Sequence, residues 1–184
     1  MRDSARGALA GLIATIPMTL VMTLLFRRLP AGQQYPLPPV LITGALADRT
    51  GKPLAGSALG AAALVAHFGY GAATGALYPR LLPRGWPPVL TGPGYGVAVW
   101  SASYLGWIPA LRILTPATRH PARRNALMLA AHLVWGAALA GCLALDARRH
   151  GSEGPSARFA TAARAVAPRQ SSRRAIGNRF LPNS

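Results

Sequence analysis

Four stretches of this chain contain no charged side chain: residues 7–26, 53–79, 85–111 and 125–145. Each is 20 residues or longer, enough for a helix to cross a hydrocarbon core of roughly 30 Å. Four such runs in 184 residues leave little sequence for a soluble shell around them. Charged residues make up 13% of the chain, about half the usual share of a soluble domain. The pattern predicts an all-α membrane protein with four transmembrane helices, over residues 7–26, 57–77, 92–111 and 125–145. Residues 1–146 form the membrane domain in this reading. The first run is longer than a signal-peptide core and ends in Phe26-Arg27-Arg28 without a small-residue cleavage pattern, so it reads as an uncleaved first helix.

The connections follow from composition. Residues 27–56 carry Pro30, Pro36, Pro38, Pro39 and Pro53, which suits an extended stretch leading into a short interfacial helix over about 39–48, with a plain loop as the alternative. Arg80 and Arg84 mark a turn. Trp86 and Trp107 suit the two membrane interfaces. Pro17 lies inside the first run, where a kink is expected. Residues 147–184 hold eight Arg and one acidic residue, Glu153. That segment cannot bury enough apolar surface to fold alone and reads as a disordered Arg-rich tail. Its stretch 157–167 could form a basic amphipathic helix on anionic lipids. Nucleic acid is disfavoured as a partner, because RNA-binding motifs and regular aromatic interleaving are missing. The lipid bilayer is the expected partner, and a second copy of the chain is a further candidate. The terminal side carries twelve basic residues against eight on the other side, which leans toward both termini being cytoplasmic.

Within the apolar runs, small residues recur. Gly7, Gly11, Thr15, Thr19 and Thr23 repeat every four residues, and Gly92 and Gly96 repeat the Gly-x-x-x-Gly spacing. Small residues let helix backbones approach closely in lipid. The more pointed repeat is AHFGYGAA at residues 66–73 and AHLVWGAA at residues 131–138. The chain has four histidines in all, so two at matched positions in apolar runs is a costly coincidence. A tandem duplication of a two-helix hairpin accounts for it. His67 then stands on one face with Gly71 and Gly75, and His132 with Gly136 and Ala140.

Each histidine has a bland reading, in which it hydrogen-bonds a neighbouring helix and fixes packing. A sharper reading makes His67 and His132 a cofactor-binding pair, with haem the candidate group. A third makes them part of a solute or proton path in a small transporter or channel. No acidic residue lies in any of the four spans, which disfavours a carboxylate-rich metal site and completes no proton relay. Cys142 is the only cysteine, so an intramolecular disulfide is excluded. Hydrolase, metalloprotease, P-loop and dinucleotide-binding patterns are missing, and a non-enzymatic role is favoured.

GALAGLIATIPMT at residues 7–19, PLPP at 36–39 and HFGYGAATGALY at 67–78 together resemble the YagU-like family of small bacterial inner-membrane proteins of unknown function. The resemblance covers roughly residues 5–146. It implies a four-helix bundle in the bacterial inner membrane, and it brings no activity or site residues with it. The Arg-rich tail departs from it.

Overall fold

A computed structural model describes residues 2–82 and 86–151, and over these the chain is helical with no strand. The chain divides into two units, Met1–Ala147 and Arg148–Ser184, and the fold that follows is that of the first. Arg84 and the tail from residue 152 onward, including 157–167, lie outside the described residues.

Helix α1 spans Arg2–Phe26 as one element through Pro17. Its buried residues are Gly7, Ala10, Gly11, Ala14, Thr15, Met18 and Met22, a three-and-four spacing that turns one stripe inward. The every-four seam follows this stripe only at first. Four residues overshoot a turn by about 40°, so Thr15 is buried, Thr19 half-buried and Thr23 exposed. Each of these hydroxyls donates to the carbonyl one turn back: Thr15 to Gly11 at 2.8 Å, Thr19 to Thr15 at 2.7 Å and Thr23 to Thr19 at 2.8 Å. The seam satisfies its own polar groups within the helix.

Helix α2 spans Pro38–Arg49, with proline in its first turn, where the missing N–H costs nothing. Helix α3 spans Gly56–Leu81 and α6 spans Ala122–Gly151. Between them the third apolar run is segmented. Helix α4 spans Pro88–Ser101, a wider π turn covers Ala102–Trp107, and a short α5 spans Ile108–Ala110. Gly106 leaves helical geometry at φ −109°, ψ −108°. The uniform third helix expected from hydropathy is therefore interrupted: hydropathy reports apolarity and is blind to a local change of winding.

Two segments, Arg2–Phe26 and Ala122–Arg149, are long and apolar enough to cross a membrane. Helix α3 has the length, at 26 residues, but its glycines, tyrosines and His67 hold its hydropathy below theirs.

Glycine decides how the helices pair. A Cβ on Gly11 would collide with the carbonyl oxygen of Gly71, and one on Gly7 with that of Gly75. A Cβ on Gly92 would strike the Gly136 carbonyl and the Ala140 methyl, and one on Gly96 the His132 carbonyl. Thus α1 lies against α3, and α4 against α6, at a separation that leaves no room for a side chain. Aligning the two histidine segments matches Gly71 with Gly136 and Gly75 with Ala140. Both pairs cross through a Gly-x-x-x-Gly, but in registers one turn apart: Gly11 meets Gly71, whereas Gly96 meets His132, the counterpart of His67.

A buried cluster joins the pairs. Tyr95, Tyr104, Ile108, Leu127, Met128, Ala131, Trp135 and Leu139 form much of it. Tyr95 stacks on Trp135 at 5.9 Å between centroids and meets Tyr78 edge-on at 5.2 Å. Near the start of α1, Arg6 pairs with Asp146 at 3.4 Å. Near the start of α6, Arg124 is 5% exposed and donates to the carbonyls of Gln33, Tyr35 and Pro36 at 2.7, 3.0 and 3.1 Å. Its guanidinium also lies 3.5 Å from the centroid of the Tyr35 ring. Three carbonyl dipoles and a ring face take the place of a carboxylate here.

Candidate functional site

The repeated histidine segments meet at one cavity of about 200 Å³, lined by both His67 and His132. The aromatic three residues after each histidine, Tyr70 or Trp135, lines it too, because positions i and i+3 share a helix face. The π turn supplies Ser103, Tyr104 and Trp107. Helix α1 contributes Thr15 and Met18, and α2 contributes Pro39, Ile42, Thr43 and Leu46 along one side.

The two aromatics bond reciprocally across the pairs. Trp135 on α6 donates its indole N–H to the Gly11 carbonyl on α1 at 3.1 Å. Tyr70 on α3 lies 2.8 Å from the Ser103 hydroxyl on the π turn. Ser103 donates its single proton to the Val99 carbonyl at 2.8 Å, so Tyr70 is the donor in that pair. The cavity is thus walled by groups that also tie α1 to α6 and α3 to the π turn.

His132 is 5% exposed. Its Nδ1 lies 2.7 Å from the Met128 carbonyl, so Nδ1 carries the proton and the neutral ring keeps its lone pair on Nε2. Tyr104 meets the ring edge-on at 6.2 Å. His67 is half-buried, and its Nε2 is buried with no hydrogen-bond partner among the described residues.

The small residues singled out in the sequence take up positions beside the cavity. Gly71 abuts Thr15, and Gly11 and Gly75 face each other one turn further along. Gly92, Gly96 and Gly136 form the second crossing, beside His132, and Gly7 faces Gly75 at the outer end of the first. Sequence reasoning placed Trp107 at a membrane interface. In the structure its ring lines the cavity and packs 6.1 Å from Tyr70, carried there by the π turn. Ser103 and Tyr104 were missed for the same reason, since an unbroken helix would present a different face. Tyr70 and Trp135 were legible as the aligned aromatics of the repeat.

As a cofactor site, the cavity offers two imidazoles. No group of three or more His, Cys, Asp or Glu is gathered among the described residues, and protein metal sites commonly draw on three or four ligands. The volume is below the roughly 300 Å³ at which pockets for drug-sized ligands begin, and haem is larger than such ligands. The arrangement suits a small, mostly apolar guest with few polar contacts. Nothing matches the chain among family models, curated proteins or solved structures.

Proposed function

We propose that the chain is a multi-pass integral membrane protein of the bacterial inner membrane, non-enzymatic, with four membrane-crossing segments arranged as two related hairpins around a shared histidine cavity. One observation carries the membrane reading. The outward face of α1 exposes Leu9, Leu12, Ile13, Ile16, Leu20 and Leu24, each at least 41% exposed, while its inward face buries mostly glycine, alanine and threonine, with Met18 and Met22 beyond them. Large apolar groups outside and small or polar groups inside is the distribution expected when the solvent is lipid. The YagU-like resemblance and the length of α1 and α6 agree with it. Both termini on the cytoplasmic side, and an Arg-rich tail held against anionic lipids, complete the reading.

The duplication is supported by the two His-x-x-aromatic pairs that line one cavity and by the use of a Gly-x-x-x-Gly crossing in both pairs. The membrane reading is tested by extracting membranes at alkaline pH. The chain is expected to stay in the pellet, and release into the supernatant would overturn the reading.

A second reading, a haem-binding redox protein, is favoured only by His67 and His132 lining one cavity. An absorption spectrum of purified protein decides it: a Soret band lost in His67→Ala would support it.

A further inference from the structure

We propose that the cavity between His67 and His132 binds a compact lipophilic molecule bearing a hydroxyl donor, a phenol or similar alcohol, with Nε2 of His132 as the acceptor. The bilayer as the source of this ligand rests on the membrane reading; the binding itself does not.

The argument is an account of donors and acceptors. Five protons on the cavity wall are already donated within the protein. The Thr15 hydroxyl goes to Gly11, that of Thr74 to Tyr70, that of Ser103 to Val99, that of Tyr70 to Ser103, and the Trp135 N–H to Gly11. The hydroxyls of Thr43 and Tyr104, the Trp107 N–H and two imidazole nitrogens are left over, and no donor on the wall bonds Nε2 of His132 among the described residues. Nε2 of His67 is buried without a partner. Nε2 of His132 is a lone pair, because its ring proton is used on Met128. A guest that satisfies His132 must bring its own proton.

Shape and polarity complete the description. About 200 Å³ exceeds the roughly 150 Å³ of a dry cavity that takes benzene. The wall is mainly Met18, Ile42, Leu46, Val99, Ile108 and Met128, and Trp107 and Tyr104 offer ring faces. Isolated water needs two to four polar partners and finds few on such a wall. An aromatic or branched apolar body with one hydroxyl fills the volume and meets the free lone pair.

The test is a calorimetric titration of the full chain in detergent, blanked against empty micelles, with p-propylphenol and with its methyl ether p-propylanisole. The two differ by the donor. Saturable binding of the phenol at one per chain, at least about tenfold tighter than the ether, is expected, since the phenol adds a hydrogen bond to Nε2 that the ether cannot make. His132→Asn keeps an amide donor for the Met128 carbonyl and removes Nε2. It should bring the phenol down to the affinity of the ether while far-UV circular dichroism stays unchanged. Equal binding of phenol and ether by the wild-type chain, or a preference that survives in His132→Asn, would overturn the proposal. Should that variant not fold, the wild-type comparison decides alone. Failure of the membrane reading would show separately, in the alkaline extraction.

Discussion

Gly69 and Gly71 stand two residues apart in α3 and meet opposite surroundings. A Cβ on Gly69 finds open space, whereas one on Gly71 runs into the Thr15 hydroxyl of α1. That hydroxyl is held by its bond to Gly11, so it cannot simply swing away. Gly71→Ala is expected to destabilise the fold by about 1–3 kcal/mol, the usual cost of overpacking. Gly69→Ala should be neutral or stabilising by up to about 1 kcal/mol through helix propensity. Thermal unfolding of the two variants in one detergent checks the contrast, and equal effects would show that the crossing is looser than described. Arg124 gives a second prediction at this scale. It is the donor to three carbonyls of the 33–36 stretch, and bonds to a charged group are worth about 1.5–3 kcal/mol each. Arg124→Met should therefore loosen that stretch, read as faster tryptic cleavage after Arg27 and Arg28. An unchanged cleavage rate would remove the clamp role.

At the scale of elements, the third apolar run shows what packing asks of a helix. The π turn over Ala102–Trp107 brings Ser103, Tyr104 and Trp107 to the cavity wall, and π turns are often found at functional sites. Nothing in the apolarity of that run distinguishes an even helix from a segmented one. The threonine seam of α1 was readable as a repeat, yet its far end rotates away from the neighbour because the spacing is four and the helix turns in 3.6. The bond from Trp135 to Gly11 links α6 to α1 inside the bundle, in addition to the Arg6–Asp146 pair near the helix ends. Trp135→Phe should lower stability by about 0.5–1.5 kcal/mol, toward the low end, because the Gly11 carbonyl keeps the Thr15 hydroxyl. Chemical denaturation measures it; a loss well above that range would mean that the indole ring's packing on Tyr95 dominates.

For the whole molecule, the repeated histidine segments make a geometric prediction. If α1–α3 and α4–α6 are related hairpins, His67 and His132 lie at equal depth in the bilayer. Single cysteines at positions 65 and 130, two residues before each histidine, in a Cys142→Ser background, should react at matching rates with a membrane-impermeant thiol reagent from either side. Strongly different rates from one side would end the duplication. Much of this architecture was visible in the sequence through the repeated histidine segments and the glycine pairs. The pairing of one with the other was not, because a small-residue stripe says that something approaches closely and does not say what.

The sequence by itself determined where the apolar runs that become helices lie, which of their faces carry small residues, and that two histidine segments share one pattern. These are local properties, fixed by composition and by the period of the helix. The tertiary structure alone decided that Gly7 and Gly11 meet Gly75 and Gly71, that Gly92 and Gly96 meet Gly136 and His132, and that both histidines open on one cavity. Those facts depend on the rotation of each helix about its axis and on the widening of one turn near Gly106. Both are set by contacts between residues far apart in the chain, and so no single stretch encodes them.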